Sequence, residues 1–289
     1  MKYSFTCLVL SLFFVITTVQ AVEVDVLFSD RYRPHVEAVQ GLKQGVRADD
    51  VRLFSIDKRR DLAEMMEQLQ RIKERKPDLL VVVGEDALQA AISLNTGIPT
   101  VSMMSMSLRA TLQNKISLTG VDLRPSPIVV SAELTHQLTK GATVISYYNP
   151  ALSNAYIEEA KAAFKKEGLL LIAKPWPEHD VQKSVNESMK DANCYWMQME
   201  YQSVNPDTLR LLFGLAKKGK NLVGLSGKYV RAGALLAWTP QPRKIGEQAS
   251  ILANRILAGE DPVKIPLQHP TEMKLSVRTA DTREVGENE

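Results

Sequence analysis

Apolar and polar positions alternate along this chain in a repeating order of short strands and longer helices. Val22 to Phe28 reads as a strand, and the next helix carries Val36, Val39, Leu42 and Val46 on one side. Val51 to Ile56 is a second strand. Its following helix spaces Leu62, Met65, Met66, Leu69 and Ile72 at helical intervals. Leu79 to Val83 is an unbroken apolar run, the pattern of a strand covered on both faces. Gly84 ends it, Ala87 to Leu94 continues as helix, and Pro99 to Val101 opens a fourth strand.

The pattern then restarts. Ala142 to Tyr147, Leu169 to Ala173 and Cys194 to Met199 read as strands. Asn154 to Glu167, His179 to Lys190 and Pro206 to Lys217 read as helices, with Asn205 as a cap and Pro206 in the first turn. The closing segment gives a strand at Leu222 to Leu225, a polar turn at Ser226-Gly227-Lys228, and a strand at Gly233 to Ala237. An amphipathic helix at Lys244 to Ala258 and a last alternating strand follow. Alternating strands and helices with short connections predict an α/β fold with parallel sheets. Two halves of roughly a hundred residues each predict two similar doubly wound lobes. If the chain crosses near Trp238 to Pro242 and returns near Pro262 to Pro266, a multi-strand hinge joins them. The expected division is 22–121 plus about 241–263 for lobe one and 122–240 plus about 264–282 for lobe two. Residues 283–289 form a charged, mobile tail.

The first 21 residues change the picture of location. Lys2, the apolar stretch Cys7 to Val19 and Val19-Gln20-Ala21 have the layout of an export signal cleaved near Ala21, which predicts a periplasmic protein. The apolar run is shorter than the ~20 residues of a spanning helix. Cys7 sits too early in it for a lipid-modified cleavage site. Of the two cysteines only Cys194 then remains, so no internal disulfide can form. A formal net charge of +3, one unit lower without Lys2, gives no argument for a nucleic-acid partner.

Catalytic patterns are missing. Gly224-Leu225-Ser226-Gly227 lacks nucleophile-elbow spacing, and Ser55-Ile56-Asp57-Lys58 stands without its companion motifs. No phosphate-binding glycine loop follows a strand. His35, His136, His179 and His269 have no metal-ligand spacing. No enzyme, no metal and no cofactor are expected.

Several stretches carry a family resemblance. They are Pro77-Asp78-Leu79-Leu80 leading to Gly84, Gly97-Ile98-Pro99-Thr100-Val101, Thr119-Gly120-Val121, Tyr148-Asn149-Pro150 with Asn154, Val230 to Leu235, Gly246 to Gly259, Ile265-Pro266 and Pro270. In this order they resemble the tryptophan/tyrosine-type family of ABC transporter substrate-binding proteins, with a type I periplasmic binding fold. The resemblance implies a monomeric, non-catalytic protein that closes two lobes on a small molecule and presents it to an ABC permease. The alternative is a ligand-binding component that reports to a membrane-bound sensor.

Ligands of open α/β sheets bind beyond the carboxyl ends of the strands. The loops there carry Ser29, Asp30, Tyr32, Glu85, Ser102, Met103 and Ser105 in lobe one. In lobe two they carry Asn149, Asn154, Glu200, Tyr201, Gln202, Ser226 and Lys228. Each also has a plainer reading. Ser29, Asn149 and Ser226 suit turns or caps, Glu85 and Asp86 suit a helix start, and Lys228 suits solvent. Met103, Met104 and Met106 suit adaptable packing, and Tyr195, Trp196 and Trp238 suit the core or hinge.

Departures from the resembled pattern bear on the ligand. Glu200-Tyr201-Gln202 stands where a Thr-Asp-Asn-like triplet is usual, Gly227-Lys228 follows Ser226 where acids are usual, and Ser105 to Leu108 holds no carboxylate. The resemblance assigns such acids to an amino-acid ammonium. Their loss predicts a ligand other than an ordinary α-amino acid, neutral or anionic. Asp30, Glu85 and Glu200 are the anions left to hold an ammonium otherwise.

Overall fold

A computed structural model describes residues 21–28, 32–56, 62–112 and 117–279. The export-signal reading of residues 1–20, the candidates Ser29 and Asp30, and the tail from residue 280 lie outside them. Two sheets build two lobes. The first is fully parallel, in the order β2-β1-β3-β4-β5. Its strands are β1 (Glu23–Phe28), β2 (Asp50–Ser55), β3 (Leu79–Val83), β4 (Thr100–Met103) and β5 (Leu118–Val121). The second runs β11-β10-β9-β8-β6-β7 and is parallel except for its edge strand β11 (Met273–Val277). The others are β6 (Thr143–Tyr148), β7 (Leu170–Pro175), β8 (Cys194–Trp196), β9 (Asn221–Gly224) and β10 (Leu236–Pro240).

Alternation within each strand decides which helices it meets. Val24, Val26, Leu79, Val81 and Val83 face α1 (Arg33–Gly45) and α10 (Pro242–Leu257). Leu27, Leu80 and Val82 face α2 (Leu62–Arg75), α3 (Glu85–Leu94) and the short α4 (Leu108–Thr111). In the second sheet Val144, Cys194, Trp196 and Val223 pack on α5 (Pro127–Gln137) and α6 (Pro150–Lys166). Ile145, Tyr195 and Leu222 pack on α7 (Val181–Ser188), α8 (Pro206–Lys217) and α9 (Gly227–Arg231). Helix starts follow their sequence signals. Asn149 and Asn205 accept from the backbone N–H two residues on, and proline occupies the first turn of α6 and α8.

Three connections join the lobes. The first leaves β5 toward α5, and the second leaves β10 for α10. The third follows α10, but returns later than the expected Pro262 to Pro266. Ile265–Gln268 still runs beside β5: the Thr119 hydroxyl donates to the Ile265 carbonyl at 2.9 Å, and Asp122 N–H donates to Gln268 at 2.8 Å. The crossing therefore falls between Gln268 and β11. Gln248 of α10 holds it, donating to the His269 carbonyl at 2.9 Å and accepting from Thr271 N–H at 3.0 Å.

Other boundaries also shift. The helix expected from Asn154 begins at Pro150, and the expected turn Ser226-Gly227-Lys228 opens α9. The strand expected over Gly233 to Ala237 lies three residues further on, at Leu236–Pro240, and β8 ends at Trp196 rather than Met199. The hydrophobic pattern gave no element between Val101 and Ala142, where α4, β5 and α5 lie. In β5 a glycine replaces an apolar residue because a Cβ on Gly120 would stand 2.0 Å from the Ser102 carbonyl oxygen. In α5 the buried face includes Ser131 beside Val130 and Leu134, which blurs its stripe.

One buried charge faces α2. Asp25 is fully enclosed on β1, 3.5 Å from Arg75 Nε, while Arg75 also meets Glu23 at 3.1 Å and Asp50 at 3.3 Å. Burial pushes the Asp25 carboxyl up to about 6, opposed by Arg75 and assisted by Glu23 and Asp50. A raised carboxyl favours the protonated fold. Its contribution is complete below the unfolded value and is lost as pH rises through about 6. Asp25→Asn is therefore expected to raise the unfolding temperature at pH 7 to 8, with the gain disappearing near pH 4. Thermal unfolding across that pH range checks it.

Candidate functional site

The carboxyl ends of both sheets face one another across a cleft of about 360 Å³. Lobe one lines it with Tyr32 and His35 at the start of α1, Val83 at the end of β3, and Glu85 and Asp86 in the first turn of α3. Pro34 of α1, Met104 and Met106 after β4 and Leu123 after β5 complete that side, and lobe two contributes Met199 and Tyr201 from the loop after β8. Tyr32 and Tyr201 are 54% and 64% exposed, so both remain accessible where they line the cleft. His35 packs edge-on against Tyr32 at 5.3 Å between centroids. Gly84, with φ of +93°, lets His35 approach: a Cβ there would stand 2.4 Å from the imidazole.

Glu85 organises the lobe-one wall. Its Oε2 accepts from Ser105 Oγ at 2.7 Å and from the N–H groups of Met106 and Ser107 at 3.1 Å. Its Oε1 accepts from Ser107 Oγ at 2.5 Å and Gln89 Nε2 at 3.2 Å. Five donors saturate the roughly four lone-pair sites of a carboxylate. Burial pushes this carboxyl up, but the bonds from Ser107 and Ser105 outweigh it and hold it below the usual range. The loop so anchored keeps Met104 in the left-handed region at φ 61°, unusual for a residue with a side chain.

Glu200 does the corresponding work in lobe two. It is 2% exposed and accepts from Asn149 N–H at 2.8 Å, Trp176 Nε1 at 3.2 Å and the Ser153 hydroxyl. Burial raises its carboxyl, with those hydrogen bonds opposing. Arg124 Nη1 donates to Ser153 at 3.1 Å, so a polar chain runs from Glu200 to the hinge. There Asp122, 1% exposed, receives Arg124 Nε and Nη2 at 3.0 Å and Arg109 Nε at 3.2 Å. Burial pushes the Asp122 carboxyl up, yet the charge and hydrogen bonds of Arg124, with Arg109, hold it below its ordinary range. Arg109 of α4 crosses to Glu159 of α6 at 3.1 Å, and His269 of the third connection meets both at 3.1 Å.

Of the candidate ligand residues, the structure brings Tyr32, Glu85 and Tyr201 together in the cleft, beside Asp86, Met104 and Met106, which the sequence assigns to a helix start and to packing. Ser105 stands behind Glu85, and Asn149 behind Glu200 as the cap of α6. Ser102 and Met103 lie within β4, both fully buried, and Met103 belongs to the core under α1 and α10. Asn154 is inside α6, within 3.4 Å of the Tyr148 hydroxyl. Gln202 lines a separate lobe-two groove with Trp176 and Asn205. Ser226 precedes α9, and Lys228 is exposed on it; neither lines the cleft. His35, Leu123 and Met199 were not anticipated, since only the paired lobes bring them to one place. The lobe-two groove is larger, about 700 Å³, but one lobe alone forms it, between α7 and α8. A clamp acts through a cavity that both lobes share, which favours the smaller cleft. Among the described residues no cluster of His, Cys, Asp and Glu could hold a metal.

These features define a two-lobed binding protein of type I periplasmic topology. The chain belongs to the ABC transporter substrate-binding protein family, whose sequence profile matches residues 23–286. Solved structures share the fold. A Streptococcus pneumoniae ABC domain in complex with L-Trp is 17% identical, with a TM-score of 0.61 over 92% of this chain and 95% of that one. The ligand-free, open form of a Clostridium difficile substrate-binding protein with adhesive properties is 15% identical, with a TM-score of 0.65 over 93% and 95%. An Actinobacillus succinogenes solute-binding protein with bound D-allose is 15% identical, with a TM-score of 0.53 over 93% and 100%. No curated protein matches the chain in sequence. The chain is a substrate-binding protein of ABC transport, a class that captures small molecules for a permease.

Proposed function

We propose that this protein captures its solute in the cleft between Tyr32 and Tyr201, closes about the three connections, and delivers the closed form to a membrane permease. The carrying observation is a cavity lined from both lobes at the carboxyl ends of both sheets. A ligand that touches both lobes binds the closed form better than the open one, and that difference drives closure. The lobes divide after Val121, after Pro240 and, because Ile265–Gln268 is tied to β5, after Gln268 rather than near residue 263. The wall residues Glu85, Ser105, Asn149 and Glu200 shape the site from behind.

The protein works as a monomer after export and cleavage near Ala21, and it turns nothing over. No helix among the described residues is long and apolar enough to cross a membrane. A thermal-shift screen of metabolites, followed by uptake of the best binder in cells with and without the gene, tests the proposal. A binder whose uptake needs the gene supports delivery. A binder whose uptake is unchanged refutes it and leaves the sensor reading.

A further inference from the structure

Resting on the proposed cleft as the binding site, we infer that it selects a flat, apolar solute that carries no carboxylate. Two exposed tyrosines line the cleft from opposite lobes, and Met104, Met106 and Met199 line it with flexible thioethers. Aromatic faces and thioethers favour planar rings and adapt to their outline. The cavity is within the range of small-molecule sites.

Charge decides the rest. No lysine or arginine lines the cleft among the described residues, while Glu85 and Asp86 do. A carboxylate entering there meets like charge and finds no lysine or arginine among the described lining residues, so it is desolvated without a charged partner from them. Neither glutamate is open to an α-ammonium that would offset this. Glu85 already accepts five hydrogen bonds, and Glu200 is buried with three donors of its own. Both glutamates serve the walls, which leaves Asp86 as the remaining acid along the described cleft. The carboxylate therefore adds cost, and it is the group that distinguishes L-tryptophan from tryptamine.

Four indoles with one ring and different head groups test this by calorimetry on the whole protein: tryptophol, tryptamine, L-tryptophan and indole-3-acetate. Tryptophol and tryptamine are expected to bind at least about tenfold more tightly than the other two, the scale of one unpaired polar group. Tyr32→Ala and Tyr201→Ala should each weaken tryptophol about tenfold while leaving the unfolding temperature unchanged, because both rings are exposed. L-tryptophan or indole-3-acetate binding as tightly as tryptophol overturns the inference. So does binding by none of the four, or tryptophol affinity indifferent to both tyrosines. The metabolite screen separates this failure from failure of the clamp: another solute that binds and needs Tyr201 keeps the cleft and discards only the ring preference.

Discussion

Asp122→Ala is expected to destabilise the protein by about 3–5 kcal/mol, the cost of breaking a buried ion pair from one side. Asp122 stands at the end of β5, where the first connection begins, and it neutralises both Arg124 and Arg109. Arg124 is 4% exposed, so without Asp122 its guanidinium remains buried beside Tyr156, 4.6 Å from the ring centre. That ring does not replace an anion. Chemical denaturation reads the loss directly. The pH dependence has a definite sign: a carboxyl held below its unfolded value contributes fully above about pH 4 and is lost as pH falls further. The difference between wild type and Asp122→Ala should therefore shrink in acid. A difference that grew in acid would mean that Asp122 is not held ionised by its arginines.

Gly246→Ala is expected to be the second large effect, although it adds one methyl group. A Cβ at Gly246 of α10 would stand 1.9 Å from the Ala38 carbonyl oxygen of α1, and one at Gly41 would stand 2.0 Å from that of Arg243. These are backbone contacts, so no side chain can swing aside. The helices must separate, at a cost of about 1–3 kcal/mol or more for overpacking. Separation also strains Asn254, which donates to the Gly45 carbonyl and accepts from Arg47 N–H, both at 2.8 Å. Gly214 of α8 provides the contrast. Nothing lies within 4 Å of its added Cβ, so Gly214→Ala should stabilise by about 0.5–1 kcal/mol through helix propensity. Equal effects at the two glycines would contradict the close α1–α10 contact.

These contacts show where the sequence was legible. β3 is a continuous apolar run with both faces covered, and the pattern marked it residue for residue. The caps Asn205 and Pro206 placed α8, because their chemistry is local. The stripe of α10 showed its buried face but not its proximity to α1, which depends on glycines that carry no hydrophobic signal. β5 and α5 stayed hidden because Gly120 makes room for the Ser102 backbone and Ser131, whose hydroxyl donates to the Ile128 carbonyl of its own helix, puts a polar residue on the buried face.

The site was legible only in part. Tyr32, Glu85 and Tyr201 follow from the rule that ligands meet the carboxyl ends of strands. The rule does not say which side chains reach outward. Glu85 and Glu200 read as candidate ligand anions, yet each is turned toward hydroxyls and N–H groups of its own lobe. An anionic solute, one of the two expected classes, has no lysine or arginine to meet among the described cleft residues. Met199 reached the cleft because β8 ends at Trp196, three residues before the hydrophobic run does.

The most direct test is small-angle X-ray scattering of the purified protein before and after addition of the low-molecular-mass fraction of the cells that make it. A clamp closing on a solute predicts a smaller radius of gyration, with the contraction abolished in a Tyr32→Ala, Tyr201→Ala double variant that still folds. An unchanged radius, together with no small molecule retained after gel filtration, would contradict the account.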